Sequence, residues 1–126
     1  MFGVVSLSAK IVPVEPYYIP EPAQILLVSH FKDPVIAKAT LNTRNKVYHV
    51  TLTDGKDFSF DYFGEWLGID CNNEAIPLQL VPRPVRSKVA TSYGSDAKVV
   101  KMTKHNKYNQ FIHVKLNNGV ELSVEF

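Results

Sequence analysis

The sequence holds a single cysteine, Cys71, so an internal disulfide is impossible, and the residue is expected as a small buried apolar group rather than a nucleophile. No apolar run approaches the ~20 residues that a membrane-spanning helix needs. There is no stripe of one charge either. Fourteen lysines and arginines are interspersed with twelve aspartates and glutamates, leaving a net charge of +2, which argues against nucleic acid as a partner. The six glycines fall at expected turns or strand junctions and build no phosphate-cradling loop. No Gly-x-Ser-x-Gly elbow is present to raise a serine for a Ser/His/Asp triad. Ser29-His30-Phe31-Lys32 matches Ser-x-x-Lys, but the companion Ser-Asp-Asn and Lys-Thr-Gly motifs are missing. Neither catalysis nor a cofactor is expected.

What is present suits one compact domain. A chain of 126 residues, 45% hydrophobic and 21% charged, can bury a core without metal or disulfide. Residues 1–18 read as an extended N-terminal segment. Its apolar opening, Phe2 to Ala9, suits an edge strand or a processed remnant and lacks the basic residues of a complete leader. Four prolines lie within residues 10–22 (Pro13, Pro16, Pro20 and Pro22), so no regular element is expected there until Pro20 or Pro22 enters the first turn of a helix. That helix runs to Phe31, with Ile25, Val28 and Phe31 spaced three apart and Leu26 and Leu27 widening the apolar stripe. Asp33-Pro34 ends it.

From Val35 the period changes to two. Turn residues at Asn42–Asn45, Asp54-Gly55 and Phe63-Gly64 separate strands expected near 35–42, 46–53, 56–62 and 65–70. The second half follows the same grammar. Prolines at 77, 82 and 84 lead into Val85, Val89 and Tyr93 at helical spacing, Gly94 closes the helix, and strands are expected near 97–104, 108–117 and 120–126. At an offset of 64 residues, His49–Asp61 lies over His113–Glu125 with five of thirteen positions identical. Asp54-Gly55 and Asn118-Gly119 fall together as two-residue hairpin turns with positive φ at both positions. The expected fold is therefore α+β: two tandem helix-plus-meander repeats, residues 19–71 with four strands and 76–126 with three, forming one sheet with its helices on one face.

Certain residues carry a resemblance. They are the proline-led helices ending in His30-Phe31 and Ser92-Tyr93, the hairpin Tyr48–Gly55, and the run Phe63-Gly64-Glu65-Trp66-Leu67-Gly68-Ile69-Asp70-Cys71 followed by Ala75-Ile76-Pro77. Over residues 19–126 the chain resembles the PepSY-like, β-lactamase-inhibitor-protein-like family of secreted bacterial proteins. The resemblance implies helices on one face of a single antiparallel sheet, a periplasmic or secreted location, and no catalytic residues.

Alternation points Tyr48, Val50, Leu52, Ile112, Val114 and Leu116 toward the helices. The opposite face then carries Val47, His49 and Thr51 from one repeat and Phe111, His113 and Lys115 from the other. Taking Leu67 and Ile69 as inward places Trp66 on that open face too. A surface holding Trp66, His49, Thr51, Phe111, His113 and Lys115 suits binding of another protein, because aromatic residues supply much of the energy of such contacts. Inhibition of a hydrolase is its sharper form. The alternative is a structural homodimer or envelope-associated scaffold in which the face is self-covered. His49 and His113, with no carboxylate at ligand spacing, do not argue for a metal.

Overall fold

The computed structural model describes residues 10–105 and 111–125. The apolar opening at residues 2–9 lies outside them, as do the first positions of the strand expected at 108–117. The described residues form one open antiparallel sheet of eight strands whose spatial order equals chain order. The strands are β1 Ile11–Pro13, β2 Ile36–Asn42, β3 Val47–Leu52, β4 Asp57–Phe60, β5 Trp66–Asp70, β6 Val99–Lys104, β7 Phe111–Leu116 and β8 Glu121–Glu125. Helix α1, Glu21–His30, lies between β1 and β2 in the chain, and α2, Arg83–Tyr93, between β5 and β6.

The proline-rich stretch is more ordered than expected. Ile11–Pro13 pairs with β2, with Pro13 opposite Thr40, and Pro16–Tyr18 forms a 3-10 turn. Proline is tolerated here because β1 is an edge strand, where a missing amide donor costs no ladder bond.

Both helices enter on proline as the sequence predicts. Pro20 and Pro82 stand at the N-caps, with a further proline in each first turn, where the absent N–H would have had no helical partner. Ala23 and Leu27 of α1 and Val85 and Val89 of α2 are buried in one cluster with Val50, Phe58, Ile69, Met102 and Val114. Paired positions Ala39, Val50, Phe58, Ile69, Met102, Val114 and Leu122 carry this apolar face across β2 to β8. The stripe expected on α1 is corrected: Ile25 is 52% and Val28 69% exposed. Because α1 is apolar nearly all round, composition leaves its rotation open. The buried Ile19 just before it sets the phase 19, 23, 27, and Phe31 packs edge-on against Phe58. Of the three residues expected on the buried side of α2, Val85 and Val89 are buried and Tyr93 is exposed.

The two hairpin turns also differ from expectation. Gly55 and Gly119 have φ of +92° and +90°, while Asp54 and Asn118 are not in the positive-φ region. Gly55 N–H bonds Leu52 O, and Leu52 N–H bonds Lys56 O; Gly119 and Leu116 repeat this with Leu116 and Val120. Each is a three-residue loop in which only the glycine needs positive φ. Side-chain oxygens of Asp54 and Asn118 accept the amides of Lys56 and Val120, which stabilises the tighter first turn. In both halves a 3-10 turn precedes a proline-led helix and three strands, and the first of those strands starts with a register shift, at Ile36/Lys38 and at Val99/Lys101.

Candidate functional site

The sheet face turned away from the helices is built from two rows in register. Thr40, His49, Ser59, Gly68, Thr103, His113 and Ser123 are successive cross-strand partners from β2 to β8. Lys38, Thr51, Asp57, Asp70, Lys101, Lys115 and Glu121 form the second row. These positions have the parity opposite to the buried row, which is why so polar a set can share strands with the core.

Each histidine reaches across the rows to a carboxylate. His49 Nε2 lies 2.9 Å from Asp57 Oδ1, and Thr51 Oγ donates to that same oxygen at 2.7 Å. His113 Nε2 lies 2.8 Å from Glu121 Oε1, and its Nδ1 is 3.4 Å from Ser123 Oγ. A hydrogen bond from His113 and the charge near it hold the Glu121 carboxyl below its ordinary range. In the second row Lys101 Nζ stands 3.9 Å from Asp70 Oδ2. Between the two histidine pairs the face dips. Gly68 contributes no side chain, and a hollow of about 200 Å3 is lined by His49, Asp57, Ser59, Gly68, Asp70 and Lys101 among others. A Cβ at Gly68 would come within 3.0 Å of Ser59 Oγ.

The structure thus brings His49, Thr51, His113 and Lys115 onto one face, with half-buried Phe111 at its end opposite Glu125. It does not bring Trp66 there. The register slips between Ser59 and Phe60, so Phe60 of the buried face stands opposite Trp66. One inserted residue reverses the parity of everything before it in the strand. Trp66 packs against the core cluster instead, and Lys104 Nζ lies 4.1 Å from its ring centre, a cation–π contact. Burial lowers the Lys104 pKa. His49 and His113 stand on β3 and β7, four strand spacings or about 19 Å apart, too far to share one ion. Among the described residues no group of three or more His, Cys, Asp or Glu is placed to hold a metal.

Gly68 lies within β5 rather than at a turn. It was missed because a lone glycine in a short strand gives no chemical signal. The partners Asp57, Ser59, Glu121 and Ser123 had a signal: closing each hairpin at its glycine turn sets His49 opposite Ser59 and His113 opposite Ser123. Cys71 is fully buried, and desolvation pushes its thiol up to about 12. Ser29 and Lys32 lie on the exposed surface.

The family model described as "Putative beta-lactamase-inhibitor-like, PepSY-like" matches residues 46–126. Three solved structures are similar over nearly the whole chain. A "putative periplasmic protein" of the DUF2874 family from Bacteroides vulgatus superposes with a TM-score of 0.83 at 32% identity, covering 93% of this chain and 91% of that one. A "putative calcium-regulated periplasmic protein" from Bacteroides thetaiotaomicron gives 0.81 at 31% identity, covering 92% and 90%. A second Bacteroides vulgatus periplasmic protein, of unknown function, gives 0.80 at 25% identity, covering 92% of each. Among curated proteins, none matches.

Proposed function

The chain belongs to the PepSY-like, β-lactamase-inhibitor-like family, and from that premise we propose that it is a non-enzymatic protein-binding module whose recognition surface is the open face of its sheet. The observation that carries this reading is the pair of His–carboxylate contacts set in register on either side of the Gly68 hollow. Donors and acceptors fixed on a rigid sheet lose little conformational freedom when a partner docks, so more of their interaction energy appears as affinity. Among the described residues no helix packs over this face. Its contact residues are His49, Thr51, Phe111, His113 and Lys115, joined by Ser59, Gly68 and Thr103. Inhibition of a hydrolase is the sharper form, supported by the family's description. A periplasmic or secreted location is supported by the descriptions of the three similar structures. We also read the two halves as copies of one unit, supported by their shared element order, their matching register shifts and the equivalence of His49 with His113.

A second reading, self-association, is favoured by one observation: Tyr17, Tyr18, Ile25 and Val28 leave apolar surface exposed on and beside α1. Two double variants separate the readings. Ser59→Arg/Thr103→Arg fills the hollow, and Ile25→Lys/Val28→Lys charges α1. Binding through the open face predicts that a protein retained from native extract by the wild type is retained by the α1 variant and lost by the face variant, at unchanged melting temperature. Equal retention by both variants sinks the open-face reading. A wild-type dimer in sedimentation that the α1 variant dissolves establishes the second.

A further inference from the structure

The sheet is open, and its two outer edges differ. β1 is three residues long and contains Pro13, which blunts it as a template for further strands. β8 is five residues long without proline. The bond from Leu116 N–H to Val120 O fixes the alternation of the β7–β8 ladder: Leu122 and Val124 turn their backbone groups inward to β7, and Glu121, Ser123 and Glu125 turn theirs outward. Among the described residues no strand pairs with that outer edge.

β4 shows how such an edge is used. Its residues Asp57, Ser59 and Asp61 correspond in hairpin position and side-chain chemistry to Glu121, Ser123 and Glu125. There the outer edge is occupied: β5 pairs antiparallel, with Asp57 opposite Asp70 and Ser59 opposite Gly68, and Asp61 N–H bonds Glu65 O at 2.8 Å. An acidic–Ser–acidic edge is therefore compatible with an added strand in this fold. We propose that the outer edge of β8 accepts an extended segment of another protein as a ninth, antiparallel strand, with basic side chains opposite Glu121 and Glu125. Charge selects the occupant. A second copy pairing β8 with β8 about Ser123 would set Glu121 against Glu125 in both directions, and like charges opposite one another destabilise a strand pair. Lysine or arginine there gives attraction instead, while apolar residues in between meet half-exposed Leu122 and buried Val124 on the helix side. The proposal does not rest on recognition by the open face.

The probe is the blocked peptide Thr-Lys-Val-Thr-Val-Lys-Thr, added to the isotope-labelled full chain. Amide exchange at Glu121, Ser123 and Glu125 is expected to slow on binding, while Leu122 and Val124, already bonded to β7, change little. Glu121→Lys/Glu125→Lys is expected to weaken binding by about tenfold or more, and a peptide with glutamate in place of lysine to restore it. Ser123→Pro, which removes an outward N–H, blocks binding if the variant keeps its fold. Unchanged exchange at saturating peptide overturns the proposal, as does perturbation centred on His49, Ser59 and Gly68. A dimer in sedimentation that Glu121→Lys/Glu125→Lys alters would assign the edge to a second copy and also overturn it.

Discussion

The hydrogen bond from His113 lowers the Glu121 pKa, so the carboxylate's contribution to the fold is in place above the ordinary glutamate range and is lost as pH falls through the lowered value. His113→Gln is expected to move the Glu121 titration midpoint upward, toward that of an unperturbed glutamate, as read from side-chain carbon shifts; no upward movement would remove this cause. Cys71, with its thiol pushed up to about 12 by burial, should react with a thiol reagent at neutral pH only at the rate of unfolding, and rapidly in denaturant. Trp66→Ala should cost about 2–3 kcal/mol in urea denaturation, whereas a residue on the open face would leave stability nearly unchanged. Trp66 also marks where sequence reading stops. Parity counted back from Ile69 is sound until a bulge inserts a residue, and nothing in Leu67-Gly68 announces one. The histidines of the open face were legible because the strands bearing them, Val47–Leu52 and Phe111–Leu116, alternate without interruption.

Among the elements, the β4–β5 loop is pinned more tightly than its sequence suggests. Gly64 has φ +90° and an added Cβ would lie 3.0 Å from Ala23 N and from Pro20 Cβ, at the start of α1, while Gly119 has the same φ and open space around it. Gly119→Ala should therefore cost about 1 kcal/mol through backbone strain alone, and Gly64→Ala measurably more, by chemical denaturation. Equal losses would mean that the loop yields to α1. The positions and types of both helices and seven strands were readable from proline, turn residues and period. The rotation of α1 was not, because Ile25, Leu26, Leu27 and Val28 are interchangeable until Ile19 and Phe31 find their places. β1 escaped notice because proline's exclusion from strands is relaxed at a sheet edge.

At the scale of the molecule, the halves share one core. Ala23 and Leu27 lie in the same buried cluster as Val85 and Val89, and β5 joins β6 through Gly68–Thr103, Ile69–Met102 and Asp70–Lys101. Trp66 fluorescence, which reports on the first half, and far-ultraviolet circular dichroism, which reports on both, should therefore give coincident urea transitions; two separated midpoints would show that each half unfolds by itself. A strand order identical to chain order has a kinetic meaning as well. Every strand pairs with its predecessor in the chain, so a polypeptide emerging N-terminus first, from a ribosome or a translocation pore, finds each new strand's partner already delivered. Loop closure is short at five of the seven junctions and is lengthened only where α1 and α2 intervene, so folding can advance like a zipper with two pauses, one for each helix to settle onto the sheet.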